Sequence, residues 1–300
     1  MSLRDAIARF VPDGSSIVMG TALEAAIPFA AGHEIIRQGR RDLTLIGPIS
    51  DILFDELIGA GCASRVAAAW VGNVSAGLAH NLRRAVEQGI PRRIAVQDYS
   101  NLTLSLALQA AALGSPFIPT QSLLGSDIPS TNPGLRVISS PLNGERLLLV
   151  TALKPDLAII HVQRSDEGGN AQAWGNLGVT EEAALAAGRI LIVAEEIVPR
   201  QVILSDPNRV LAPSFRVAAV VHEPGGAHPS PVQGYYNRDH RYFEDYHQAS
   251  RTRAGFEQWL QDWVTGVRDR GEYLQRLGEE RWRALQAREH RYAEPVDYGY

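Results

Sequence analysis

Two carboxylates, two glycines and an amide stand together at Asp166, Glu167, Gly168, Gly169 and Asn170, directly after the run 157–162. That run reads as a strand with no polar face, as expected in a parallel sheet covered on both sides. The cluster therefore falls at the carboxyl end of a central strand, the edge at which open α/β sheets bind their ligands. The same five residues also make an ordinary tight turn, and composition alone leaves both readings open.

Other polar groups follow apolar runs in the same way. Asp98, Tyr99, Ser100 and Asn101 lie between the run 94–96 and the apolar segment 102–113. Amides beyond Asn101 could hold an anion such as a carboxylate; equally, Ser100 or Asn101 could simply cap a helix. Later, His222 and Glu223 lead into Gly225, Gly226, Ala227 and His228 after the run 217–221. His228 suits contact with a carboxylate and equally suits an interface. The spacing of His222, Glu223 and His228 matches no familiar metal-ligand pattern and no cysteine joins them, so no metal site is expected. Glu24 has two readings as well: a carboxylate facing a cleft, or a surface residue near a helix start, where the dipole favours negative charge.

The elements that must position these groups alternate regularly. Leu3, Ile7 and Phe10 share a helix face, and Pro12, Asp13 and Gly14 then turn the chain into a strand over 16–20. Strands are expected over 43–46, 65–71, 94–96, 145–151, 190–194 and 217–221, with helices over 52–58, 78–88, 102–113 and 180–187. This alternation predicts right-handed crossovers and an α/β fold, a mostly parallel open sheet flanked by helices. Between Pro116 and Pro133 the chain reads as a long, weakly structured region containing Ser126, of the kind used for lids and binding loops. Beyond Gly234 the composition turns aromatic. Tyr242 and Tyr246 share a helix face, as do Trp259 and Trp263, and this stripe is read as packing against the body or a partner. Two regions are therefore expected: an α/β domain over 1–234 and a helical aromatic C-terminal extension over 235–300, charged and extended from Arg288 onward.

The chain has 300 residues, 45% hydrophobic and 21% charged, enough to bury a large core. A net charge of -4 gives no electrostatic footprint for nucleic acid. Cys62 is the only cysteine, which excludes an internal disulfide and suits a reducing compartment. No signal peptide is visible and no apolar window is long enough for a bilayer, so a cytoplasmic protein without membrane contact is expected.

Three blocks in order, SDEGGNAQAWG (165–175), EEIV (195–198) and EPGGAHP (223–229), with the earlier DYSN (98–101) and LLGSD (123–127), carry a resemblance. The chain resembles the first subunit of family I CoA-transferases, the glutaconate CoA-transferase type, over roughly residues 5 to 250. The resemblance implies an enzyme that moves CoA between an acyl-CoA and a carboxylic acid. In such enzymes a glutamate belonging to the second subunit attacks the thioester, forms a mixed anhydride and then carries CoA as an enzyme thioester. This chain would then have no catalytic nucleophile of its own and no permanently bound cofactor. Its partner would be that second subunit, in an A2B2 heterotetramer. It would supply positioning: Gly20, Asn101, Gly225, Gly226 and His228 beside the thioester, and Ser50, Ser100 and Ser126 toward the acid, with Asp98 and Glu167 nearby. One departure is clear. Between Gly20 and Pro28, where the family usually has a glycine run, this chain has Thr21, Ala22, Leu23, Glu24, Ala25 and Ala26.

Two alternatives remain at this point. Ring-opening hydrolases of CoA thioesters in steroid breakdown share the two-subunit architecture and place a glutamate in the loop that corresponds to 98–101. Asn101 stands there, with no acid closer than Asp98. A non-catalytic ligand-binding module with a related sheet would normally carry a DNA-binding helix-turn-helix, for which the strand beginning near Ser16 leaves no room.

Overall fold

The apolar runs 157–162 and 190–194 lie inside one sheet, where both faces are covered, and the runs 94–96 and 217–221 form its two edges. A computed structural model of the chain describes residues 1–287, so the expected extended tail from Arg288 lies outside the described residues. The first part of the chain comprises α1 (Leu3–Phe10), β1 (Ser16–Val18), α2 (Phe29–Arg37), β2 (Leu43–Ile49), α3 (Asp51–Gly59), β3 (Ala63–Trp70), α4 (His80–Glu87), β4 (Ala95–Asp98) and α5 (Asn101–Ala112). A second part holds β5 (Phe117–Thr120), α6 (Ile128–Thr131), β6 (Leu135–Ser139), β7 (Arg146–Thr151), β8 (Leu157–Ser165) and β9 (Ala171–Gln172). The rest comprises α7 (Thr180–Ala186), β10 (Arg189–Ile197), α8 (Arg200–Leu204), β11 (Val217–His222), α9 (His240–Ser250), α10 (Arg253–Leu260), α11 (Arg270–Leu277) and α12 (Glu279–Leu285).

The main sheet has the order β11-β10-β8-β1-β2-β3-β4, all neighbours parallel, with β9 antiparallel on β8. Strand alternation splits its side chains between two cores. Leu157 and Ile159 of β8 and Leu191 and Val193 of β10 enter a core shared with α1, α2, α3 and the C-terminal helices. Ala158, Ile160 and Val162, with Ile190, Ile192 and Ala194, face the other core, under α5 and α7. The aromatic segment after Gly234 belongs to the first of these: Tyr242, Phe243, Tyr246, Phe256 and Trp259 are buried there beside Phe29 and Phe54.

Local signals explain the helix starts. The Ser2 hydroxyl accepts from the Asp5 amide and starts α1, whose Leu3, Ala6 and Ile7 form its buried stripe. Ser100 and Thr103 make a reciprocal capping box for α5. The weakly structured region expected around Ser126 is more ordered than its prolines suggested. It holds β5 and α6, and β5 joins β7, the strand expected over 145–151, and β6 in a small antiparallel second sheet of which it is an outer strand, where Pro119 is tolerated. Among the described residues no helix is long and apolar enough to cross a membrane.

Candidate functional site

Sheet order reverses between β1 and β8: from β1 the chain runs outward through β2 and β3 to β4, and from β8 it runs the other way through β10 to β11. The carboxyl end of that junction is where an open parallel sheet leaves a crevice for a ligand. The backbone there is tightly interlocked. Gly20, just past β1, has a φ of +67° and packs so closely on Ser50 that a side chain would collide with it. Ser50, buried after β2, donates to the Met19 carbonyl at 3.1 Å and ties the two strand ends together. Leu23, Ala26 and Asp51 also hold positive φ (61°, 50° and 47°), a concentration of backbone strain of the kind found at functional sites. Asp51 accepts from Arg238 Nη2 at 2.6 Å, and Glu24 Oε2 lies 3.9 Å from Arg238 Nη1. Glu24 is thus half-buried against a buried guanidinium.

On the other side of the junction, His161 of β8 and Glu195 of β10 meet, Nε2 to Oε1 at 2.6 Å, both buried. Glu195 also accepts from the Gly225 amide at 2.8 Å and from the Tyr236 hydroxyl at 2.5 Å. Burial, reinforced by Glu195, raises the Tyr236 phenol well above its ordinary value, so it stays protonated and donates. Gln163, two residues after His161, exchanges hydrogen bonds with the Trp174 backbone at 2.9 and 3.3 Å. A recess of about 10 Å³, lined by Gly20, Thr21, His161, Gln163, Trp174 and Asn176 among others, lies at the junction. His161 Nδ1 is buried with no hydrogen-bond partner among the described residues. These residues escaped the reading of 157–162 as a run without a polar face, although it contains His161. The signal was there: His161 and Gln163 are polar at i and i+2, on one face of a strand.

Beside the recess, the cluster at 166–170 is both a turn and a wall. Asp166 accepts from the Asn170 amide at 2.9 Å and from its side chain at 2.7 Å, which closes the turn. A groove of 530 Å³ runs past Asp166, exposed Glu167, Asn170, Ile197 and Arg200. A second depression of 380 Å³ shares Glu167 and Ile197 with it and reaches His222.

The residues singled out in the sequence fall into separate places. Gly20, Ser50, Gly225 and Gly226 lie around the junction and its Glu195 anchor, and Glu167 lies on the groove. Asp98, Ser100 and Asn101 stand at the end of β4, three strands from β1 and so about 14 Å away by strand spacing. Ser100 caps α5, Asn101 is exposed, and the Asp98 carbonyl accepts from Asn132 at 2.7 Å. Exposed Ser126 donates to the Leu123 carbonyl at 3.2 Å. His228 is turned inward with no exposure, Nε2 against Asp239 at 3.0 Å and Nδ1 against the Tyr273 hydroxyl at 2.8 Å. Burial pushes its ring down to about 4, so it is neutral, donating to Asp239 and accepting from Tyr273. Burial alone would raise Asp239, but hydrogen bonds from His228 and Arg281 bring it down to about 2. Among the described residues no group of three or more His, Cys, Asp and Glu is arranged to hold a metal.

Comparison with known proteins places this geometry. Residues 1–223 match the family model described as Coenzyme A transferase. The A subunit of 3-oxoadipate CoA-transferase from Pseudomonas knackmussii is 40% identical over 280 residues, covering 93% of this chain and 98% of that one. The A subunit of glutaconate CoA-transferase from Acidaminococcus fermentans is 32% identical over 298 residues, covering 94% and 92%. The crystal structure of the glutaconate enzyme superposes with a TM-score of 0.88 over 96% of this chain and 95% of that one, at 32% identity.

Proposed function

The chain belongs to the coenzyme A transferase family as an A-type subunit, and on that premise we propose that it is the positioning half of an active site completed by a second subunit. The partner supplies the glutamate that attacks the acyl-CoA thioester and carries CoA, and two copies of each subunit make the working enzyme. The acceptor is a dicarboxylic acid, by analogy with the 3-oxoadipate and glutaconate of the relatives' names. Acyl-CoA enters as substrate, and no tightly held cofactor is needed.

One observation carries this reading. The carboxylates nearest the strand junction are already engaged: Glu195 receives three donors, Asp166 closes its own turn and Asp51 is held by Arg238. A nucleophilic carboxylate has to be free to attack, and the engagement of these three supports its coming from the partner. What remains here are glycine-lined backbone and oriented polar groups, which stabilise the charge that develops on the thioester oxygen. Gly20, Gly225 and Gly226 are assigned to that task, Ser50 and His228 to holding their loops, and Glu167 to the groove. Asp98, Ser100, Asn101 and Ser126 are assigned to the acid-binding side. The absence of a glutamate from 98–101 favours transfer over ring-opening hydrolysis.

The test is to purify this chain in complex with its partner, then incubate the complex first with acyl-CoA and next with borohydride. Reduction of an enzyme thioester inactivates the complex, and peptide mapping should place the modification on a glutamate of the partner. Modification of a residue in this chain, or full activity after treatment during acyl-CoA turnover, would refute the reading.

A further inference from the structure

We propose that His161 is a catalytic residue of the shared active site, its Nδ1 hydrogen-bonding the reacting carbonyl oxygen of the acyl group; the inference rests on the transferase reading above. The ring has two nitrogens and only one is used by the fold. Nε2 meets Glu195 at 2.6 Å, while Nδ1 is buried and has no partner among the described residues. Buried polar atoms are normally paired, because leaving one dry forfeits its hydration without return. His228 shows what a purely structural histidine looks like in this protein: equally buried, it has one partner on each nitrogen.

The surroundings fix what the open nitrogen can do. Glu195 accepts from Gly225 and from Tyr236 as well as from the ring, which makes it the ionised acceptor and puts a proton on Nε2. The proposal requires a second proton, on Nδ1, so that the ring pairs with the Glu195 carboxylate as an imidazolium and has an N–H to offer. The recess that His161 lines has about 10 Å³, room for roughly one oxygen-sized atom. Of its polar side chains, Thr21 is engaged by Thr180 at 2.8 Å, Gln163 by the Trp174 backbone, and Asn176 Oδ1 by the Gly178 amide at 3.2 Å. It also lies beside Gly20 at the β1/β8 junction, where the sheet's topology places a ligand. A single carbonyl oxygen seated there would acquire negative charge as the partner's glutamate attacks, and a fixed donor on a rigid strand needs no rearrangement to meet it.

Two substitutions separate this role from a structural one. In His161→Gln the amide nitrogen takes the place of Nε2 and keeps the bond to Glu195 but leaves nothing at Nδ1. In His161→Asn the amide reaches only the Nδ1 position. The reconstituted two-subunit complex, assayed with succinyl-CoA and 3-oxoadipate or glutaconate, should lose about 100-fold in kcat for His161→Gln, with KM and melting temperature little changed. His161→Asn should retain more activity than His161→Gln. Wild-type-like kcat in His161→Gln, or a larger loss in His161→Asn, would overturn the inference, since either marks the Glu195 bond as all that the ring contributes. A wild-type complex that transfers no CoA from any acyl-CoA would instead sink the transferase reading, and this inference with it.

Discussion

Glu56 lies wholly buried on α3, with Oε1 accepting from Trp259 Nε1 at 3.1 Å and Oε2 3.0 Å from His33 Nε2. Burial pushes its carboxyl up to about 8 against the opposing pull of the Trp259 bond, and burial, with Arg270 and Arg37 nearby, holds His33 well below its ordinary value. Near neutrality the proton therefore sits on Glu56, which donates to a neutral ring. A folded value above the unfolded 4.5 means the folded state binds the extra proton, so this stability is complete at acid pH and is lost as pH rises through about 8. Asp51 and Asp55, both raised by burial to about 6, contribute their loss mainly at lower pH. The lowered His33 and His228 favour the fold progressively up to about 6.5 and add nothing above it. Between about pH 7 and 8 Glu56 dominates, and urea unfolding should show a decline approaching ~1.4 kcal/mol per pH unit. Glu56→Gln, an uncharged mimic, should flatten it; an equal decline in the variant would show that another group titrates. Little of this was legible in the sequence. Asp55 and Glu56 fall in the helix expected over 52–58 with nothing local to mark them as buried, because Tyr246 and Trp259, which cover them, come about two hundred residues later.

At the level of elements, what the sequence revealed and what it hid follow from range. Strand and helix alternation is a local pattern, so β2, β3, β8, β10 and β11 stood out as apolar runs, and their parallel pairing followed from the crossovers between them. Of the small sheet only β7 stood out, as the strand expected over 145–151; β5 and β6 did not, because they are short, partly exposed and, in β5, interrupted by Pro119. The fit between elements was invisible too. In β2, a Cβ on Gly47 would come within 2.5 Å of the Met19 carbonyl and 2.7 Å of Ser50 Oγ, so the carboxyl ends of β1 and β2 meet as bare backbone. Gly47→Ala must push them apart, and with them the loop from Gly20 that walls the recess. A loss of about 1–3 kcal/mol in denaturant unfolding is expected from overpacking of this kind. A fall in kcat of the complex on the order of tenfold or more should accompany it, as misplacement of a positioning loop does. Unchanged stability would mean that the strand ends have slack, and unchanged kcat that the loop does not position substrate.

The whole molecule turns on how its last helices join the sheet. Read as a sequence, residues 1–234 form the α/β domain and the aromatic remainder an extension packed on the body or on a partner. In the fold, Tyr242, Phe243, Tyr246, Phe256, Trp259 and Tyr273 lie in the same core as β1, α2 and α3. The segment also satisfies polar groups that the first part has buried. The Tyr246 hydroxyl donates to Asp55 at 2.6 Å, Arg238 pairs with Asp51, Asp239 holds His228, and Arg270 Nε donates to the Gly225 carbonyl at 2.7 Å. Breaking one buried ion pair costs about 3–5 kcal/mol, and a domain of ordinary stability has only about 5–15 kcal/mol in all. Removing the segment strips several such partners and opens one face of the core at once. A chain cut after Gly234 should therefore show no cooperative urea transition and should fail to pair with the second subunit, whereas the full chain does both. If the shortened chain instead unfolds cooperatively near the full chain's midpoint, the helices are a dispensable cover. In that case the Glu195–Gly225 contact at the active edge, which the cut deprives of Tyr236 and of the Arg270 bond to its loop, would have to be maintained by the sheet alone.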